Sequence, residues 1–199
     1  MDLSQAQLLR DVLEGTGVLE ETDEFANALR HSTRTTNGLL IAGPANDEPW
    51  HLTAHLDDAA RHSGNQLLRP TLLRWNVHRG DPAHLAVGME RLVDTRRGES
   101  VLVVNETAAD AELTPLLERI ADARRRGAAV FALQDSASEL SGVASATITL
   151  ADYPRGLLTF DNSQHLVSLA VGRDHVAEGR RGLRARLGRL LDAWTGPAS

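Results

Sequence analysis

Two apolar runs separated by an amphipathic segment dominate the middle of the chain. Residues 101–104 read Val-Leu-Val-Val, and residues 128–133 are again entirely apolar. Between them, a polar loop over 105–110 leads into a long segment with helical apolar spacing that stops at Gly127. Short buried runs joined by a helix are typical of parallel strands with a crossover connection. The pattern predicts a β-α-β unit, followed by a third strand over 146–150.

The same order of elements occurs earlier in the chain. Residues 38–43 form a short apolar run that ends in glycine, and a loop from Pro44 to Pro49 follows. Proline suits the first turn of a helix, so we expect a helix from Trp50 to about His62. We also predict a strand over 66–75, placed at a sheet edge by Pro70, and a helix over 84–95.

Helical spacing also marks both ends of the chain. Residues 3–13 and a segment from about Glu20 to Arg34 predict an N-terminal helical hairpin, and residues 179–194 predict a terminal helix. Residues 157–160 are interpreted as a strand, and residues 166–171 as a strand or the start of a helix.

Strands that alternate with helices predict a three-layer α/β/α sandwich around a mostly parallel sheet. We therefore expect one domain over residues 1–199. It would comprise a helical hairpin (1–36), an α/β core (37–172), and a C-terminal helix with its tail (173–199).

Composition narrows the chemistry. The chain has no cysteine, and all 21 basic residues are arginine, which excludes thiolate chemistry, lysine Schiff bases and a Walker-type phosphate loop. A net charge of −6 argues against a broad nucleic-acid surface. No apolar run approaches the roughly 20 residues of a membrane span, and the N-terminus is charged where a signal peptide is apolar. We expect a cytoplasmic protein without nucleic-acid or membrane partners.

Ligands of parallel α/β sheets bind beyond the carboxyl ends of the strands. Two loops are therefore candidate binding segments: residues 43–50 and residues 105–112. Neither contains the glycine pattern of a dinucleotide site, which makes a nucleotide cofactor the weaker hypothesis.

Two histidines lie one helical turn apart at the start of the helix predicted after the first loop. His51 and His55 share one face, and Asp58 and His62 continue it. Such a pair can chelate a divalent metal, although helical histidines are also common at surfaces and interfaces. His165 or His175 could be further metal ligands, but their spacing matches no ligand motif convincingly.

Several segments resemble the SIS (sugar isomerase) fold family. They are the helix end Arg126-Gly127-Ala128, the turn Ser138-Glu139-Leu140 and the strand Ala146-Thr147-Ile148. The resemblance covers roughly residues 1–150 and implies a sugar-phosphate ligand and a homodimer paired through helices. Within the family, phosphoheptose isomerases place a zinc-binding His-x-x-x-Glu on the corresponding helix. By that comparison His51 matches the histidine, His55 replaces the glutamate, and the implied metal is zinc.

The loop over 105–110 departs from the family pattern. That family holds phosphate with several hydroxyls, whereas Asn-Glu-Thr-Ala-Ala-Asp supplies only the hydroxyl of Thr107 and adds the charge of Glu106. We predict His51 and Glu106 as catalytic residues and His51 and His55 as metal ligands; the alternative is that Glu106 is a helix-terminal acid. The predicted ligand-binding residues are Gly43, Pro44, Ala45, Asn46, Asn105, Thr107 and Ala108.

Three functions remain open at this point. The first is a SIS-like protein that binds a sugar phosphate or a related carbohydrate derivative. The second is a phosphosugar isomerase, which interconverts aldose and ketose by proton transfer, with or without a metal. The third is a non-catalytic, dimeric interaction or regulatory module.

Overall fold

The computed structural model describes residues 12–106 and 109–173. Several sequence predictions fall outside these residues. They are most of the first helix of the N-terminal hairpin, the loop residues Thr107 and Ala108, His175 and the terminal helix over 179–194.

The described residues form a five-stranded, wholly parallel sheet with the order β2-β1-β3-β4-β5. The strands are β1 (Leu39–Ala42), β2 (Pro70–Leu72), β3 (Ser100–Asn105), β4 (Ala129–Gln134) and β5 (Ala146–Thr149). All residues of β1 and β3 are buried, as expected when helices cover both faces of a parallel sheet.

Alternate residues of the strands supply two separate apolar cores. Leu39, Ile41 and Leu102 face a core with three helices: α1 (Val18–Ser32), α2 (Trp50–Ser63) and α5 (Phe160–Gly172). Leu40 and Val101 face the opposite core, which contains α3 (Asp110–Arg125), the short α4 (Leu140–Val143) and a 3-10 helix over Met89–Asp94. The predicted three-layer sandwich with a mostly parallel sheet is confirmed.

Two predicted elements between β1 and β3 were wrong in type or length. Residues 66–75 contain only the short edge strand β2, because the Asn65 side chain accepts a hydrogen bond from the Leu67 N–H (3.2 Å) and caps a 3-10 turn over Gln66–Leu68. The predicted helix over 84–95 is two 3-10 helices, Ala83–Leu85 and Met89–Asp94.

The break in the second case has a visible cause. The Arg74 N–H donates to the Val87 carbonyl (2.9 Å), and the Met89 N–H donates to the Arg74 carbonyl (3.0 Å). These bonds tie residues 87–89 to the chain beyond β2 and prevent a continuous helix.

Residues 157–160 are not a strand, and residues 166–171 belong to helix α5. The Thr159 hydroxyl starts this helix by accepting a hydrogen bond from the Asn162 N–H (3.2 Å). Helix α5 packs against both α1 and α2. In the described part of the chain, every helix is too short or too polar to cross a bilayer.

Candidate functional site

A cleft of about 260 Å³ lies beside the carboxyl ends of β1 and β3. The chain leaves β1 toward β2 on one side and returns to β3 on the other, so the loops after β1 and β3 diverge at this point. Ten described residues line the cleft: Asp47, Glu48, Pro49, Trp50, His51, Val104, Glu106, Phe160, Asp161 and Gln164.

The loop after β1 is folded tightly against the sheet. A side chain at Gly43 would place its Cβ 2.6 Å from the Asp47 carbonyl oxygen and 2.7 Å from a ring carbon of Pro49. The Trp75 indole N–H donates to the Gly43 carbonyl (2.8 Å). Glycine is therefore required here for close backbone approach.

A largely buried ion pair fixes the same loop. The Glu48 carboxylate accepts hydrogen bonds from Arg74 Nε (3.0 Å) and from the Trp75 N–H (2.9 Å). The Arg74 guanidinium also contacts Asp81 (3.3 Å) and lies 4.7 Å from the Trp50 ring centroid. These contacts hold Trp50 at the edge of the cleft, with 41% of its surface exposed.

Three histidines from two helices meet beside this cleft. His51 and His55 lie one turn apart on α2, and their Nε2 atoms are 3.1 Å apart. His165, on α5, brings its ring centroid within 5.1 Å of His51 and 4.2 Å of His55. One nitrogen from each ring lies within 4.8 Å of the other two. We call His51, His55 and His165 the histidine cluster.

Asp161 adds a carboxylate to the histidine cluster. Its Oδ1 atom lies 2.9 Å from His51 Nε2, and its Oδ2 atom lies 3.7 Å from His165 Nε2. Because Asp161 also lines the cleft, it connects the histidines to the space where a ligand would bind.

Two members of the histidine cluster favour the neutral form. Burial lowers the pKa of His55, and the neighbouring His165 and His51 lower it further. Burial also lowers the pKa of His165, against an opposing effect of Asp161. A neutral imidazole is the form that binds a metal ion. The lowered pKa values of His55 and His165 therefore favour metal binding over protonation.

The spacing of one pair in the histidine cluster fits zinc. Zinc–nitrogen distances of about 2.0–2.1 Å in a tetrahedral site place two ligand nitrogens roughly 3.3 Å apart. The 3.1 Å separation in the His51–His55 pair is close to that value. The three imidazoles and the Asp161 carboxylate offer four donors of the types that zinc binds.

The sequence indicated His165 only as a possible further ligand, beside His175, and gave no prediction for Asp161. The distance of His165 and Asp161 from His51 along the sequence does not indicate a contact. The two residues lie near His51 only because helix α5 packs against helix α2. The available signal was local: Asp161 and His165 are four residues apart, like His51 and His55, and so share a helix face.

Glu106 lies immediately after β3 and lines the cleft with His51. Burial raises its pKa, and the carboxylates of Asp47, Asp135 and Asp161 raise it further. A carboxylate with a raised pKa is a better proton acceptor than an ordinary one.

None of the five predicted ligand-binding residues that the structure describes lines the cleft. They are Gly43, Pro44, Ala45, Asn46 and Asn105. The Asn46 side chain donates to Glu112 on α3 (3.2 Å) and so joins the two loops. Asn105 is buried at the end of β3, where its carbonyl accepts a hydrogen bond from the Asp135 N–H (3.0 Å). Their role in binding stays a prediction.

Comparison with known proteins gives distant structural likenesses, among them two solved structures. No family model and no curated protein sequence matches the chain. A "putative phosphosugar isomerase" from Salmonella typhimurium LT2 superposes with a TM-score of 0.46 and 14% identity, over 78% of this chain and 42% of that chain. The Vibrio vulnificus NanR protein complexed with ManNAc-6P superposes with a TM-score of 0.44 and 14% identity, over 96% of this chain and 66% of that chain.

This chain therefore spans less than two thirds of the length of either neighbour. The α/β assignment rests on the parallel sheet described above, with helices on both faces. The functional argument rests on the cleft and the histidine cluster.

Proposed function

We propose that this chain is a SIS-like, zinc-dependent aldose–ketose isomerase that binds a carbohydrate derivative in the cleft. The observation that supports the proposal is the histidine cluster, whose three ligand nitrogens lie within 4.8 Å of one another. Its member His51 lines the same cleft as Glu106. A metal site and a carboxylate base beside one small cleft suit proton abstraction next to a carbonyl group.

The residues of the cleft have distinct roles in this reaction. Glu106 accepts the proton from the carbon next to the sugar carbonyl and returns it to the former carbonyl carbon. The hydroxyl proton on the carbon that was deprotonated moves to the former carbonyl oxygen. Trp50 offers an exposed ring face at the edge of the cleft, against which the apolar face of a sugar can pack. His51, His55 and His165 would hold zinc, which when bound polarises a substrate oxygen.

Metal content and thermal stability test the metal site. We expect about one zinc per chain in untagged protein. By binding linkage, free zinc at 100 times its Kd stabilises the fold by about 2.7 kcal/mol. For a chain of this size that corresponds to a rise in Tm of roughly 5–11 °C. His165→Ala should abolish both the bound zinc and the rise.

His62→Ala is the matched control for that experiment. His62 lies two turns beyond His55 on α2, where its Nδ1 atom is 2.8 Å from the Asp58 carbonyl. Removing it deletes a histidine from the same helix but leaves the histidine cluster intact. Loss of zinc in both variants, or in neither, would contradict the proposed ligands.

Isotope exchange tests catalysis separately from binding. Zinc-loaded protein is incubated in D₂O with a panel of aldoses and ketoses, both free and phosphorylated, and deuterium incorporation at C2 of the aldose or C1 of the ketose is followed by NMR. Glu106→Gln should reduce the exchange rate by at least about 100-fold, within the range ascribed to a positioned acid–base group, while sugar binding persists. Saturable binding without exchange in the unmodified protein would favour the non-catalytic alternative.

We also propose that the chain pairs as a homodimer through its helices. One apolar side chain away from the cleft supports this: Leu169 on α5 is 41% exposed. Sedimentation velocity should give twice the 21.6 kDa mass of one chain. A single species with the mass of one chain would refute the dimer.

A further inference from the structure

We infer that the cleft selects a carbohydrate without a phosphate group, and that an amino sugar with a protonated ammonium group binds more tightly than its neutral parent. The inference rests on the proposed function, because it takes the cleft as the carbohydrate site. It adds the charge of the ligand, which the proposed function leaves open.

The first observation is the charge of the cleft wall. Four of the ten lining residues are carboxylates. Glu48 is neutralised by Arg74, whereas Asp161 faces the histidine cluster. Asp47 and Glu106 have no ion-pair partner among the described residues, and their side chains border the cleft. Even with a divalent cation at the histidines, Asp47, Glu106 and Asp161 leave the site with a negative charge.

The second observation concerns compensating cations. The described residues that line the cleft include no arginine, and the chain has no lysine. The nearby guanidinium of Arg74 already contacts Glu48 and Asp81. A phosphate dianion in the cleft would therefore meet carboxylates without a free arginine, among the described residues, to offset them.

The third observation concerns the start of helix α3, since a helix N-terminus can bind an anion. Among the described residues before this helix, Glu106 brings a carboxylate to the cleft. The first turn of α3 adds Glu112, whose carboxylate is held toward the loop after β1 by Asn46. The partial positive charge of this helix N-terminus is already offset by these carboxylates. It would therefore stabilise a bound phosphate less.

The same features suit a neutral or cationic sugar. Carboxylates accept hydrogen bonds from sugar hydroxyls and, more strongly, from an ammonium group. The exposed indole of Trp50 offers an apolar face beside them. The cleft thus combines the acceptors and the aromatic surface that an amino sugar requires, without the donors that a phosphate requires.

Calorimetric titration of zinc-loaded protein tests the inference with matched ligands. The probes are glucose, mannose and galactose, each compared with its 2-amino-2-deoxy form and its 6-phosphate. We expect the amino sugar of at least one series to bind best and its 6-phosphate to bind at least tenfold more weakly. This difference should shrink as ionic strength rises from roughly 0.01 M to about 0.5 M.

Two variants that remove the same charge distinguish an effect of the cleft on ligand affinity from an effect of the protein's net charge. Asp47→Asn should narrow the ratio of the amino-sugar and phosphate affinities severalfold. Asp122→Asn removes a charge near the far end of α3, where Asp122 pairs with Arg125, and should leave the ratio unchanged. An equal effect of both variants would overturn the inference.

The possible failures are distinguishable. A 6-phosphate that binds as tightly as its parent sugar overturns this inference but leaves the proposed function intact. An amino sugar that binds no better than its neutral parent also overturns it. If none of the probes binds to zinc-loaded protein, both the inference and the carbohydrate site are wrong.

Discussion

The buried pair of Glu48 and Arg74 should be a main determinant of the loop that forms the cleft, and Glu48→Gln tests this. The side chains of Glu48 and Arg74 are only 12% and 16% exposed. Glutamine can still accept the hydrogen bond from the Trp75 N–H with its oxygen, but its NH₂ group then faces the guanidinium. The substitution therefore leaves a largely buried cation with a weaker set of partners.

The expected cost follows from these contacts. Removing one partner of a buried ion pair costs about 3–5 kcal/mol. Asp81 remains 3.3 Å from Arg74 and keeps part of the compensation, so we expect a loss of roughly 2–3 kcal/mol. For a domain of this size the Tm should fall by about 4–12 °C.

Urea unfolding followed by circular dichroism measures this loss, and Glu112→Gln supplies the control. Glu112 is exposed and accepts one hydrogen bond from Asn46 (3.2 Å), which a glutamine oxygen can replace. We expect the control to stay within about 0.5 kcal/mol of the unmodified protein. A loss below about 1 kcal/mol for Glu48→Gln, or equal losses for both variants, would refute the assigned role of the pair.

Three further predictions follow from the fold and the cleft. Gly43→Ala should destabilise the fold by about 2 kcal/mol or more in urea unfolding, because its Cβ would meet the Asp47 carbonyl at 2.6 Å; unchanged stability would show that the loop can shift. Phe131→Ala should cost about 3–5 kcal/mol, because this fully buried ring packs edge-on against Phe25 with centroids 5.4 Å apart; a loss under 1 kcal/mol would contradict this packing. Burial and nearby carboxylates raise the pKa of Glu106, so the proposed base should become active as pH rises through that raised pKa. Asp47→Asn removes one of these carboxylates and should move the rising limb of the kcat/KM profile to lower pH. A shift of this limb to higher pH would contradict the proposed role of Glu106.

The pattern of apolar residues was enough to predict the sheet, because strands that are buried on both faces consist of uninterrupted apolar runs. Residues 101–104 and 128–133 could hardly be anything other than central strands once the intervening helix was recognised. It failed at residues 84–95, where apolar spacing suggested an α-helix. There, hydrogen bonds of Arg74 to Val87 and Met89 determined the backbone, and such distant partners leave no trace in local spacing.

Only part of the candidate site could be predicted from the sequence, because local patterns reveal neighbours along the chain but not contacts between distant segments. His51 and His55 are neighbours in sequence and could be paired at once, and Glu106 follows a recognisable strand. His165 and Asp161 join them only because α5 packs against α2. That packing depends on side-chain fit over the whole of one sheet face, which a pattern of apolar positions does not specify.

The separation of the histidine cluster along the chain has a consequence for biosynthesis. More than one hundred residues lie between His55 and His165. They include four of the five described strands, β2 to β5. A nascent chain that has emerged only as far as β5 holds two of the three imidazoles on one helix and no partner for them. The full set of ligands exists only after the last described helix has docked. For the zinc protein proposed above, metal uptake would therefore follow the synthesis of this core and the packing of α5 against α2.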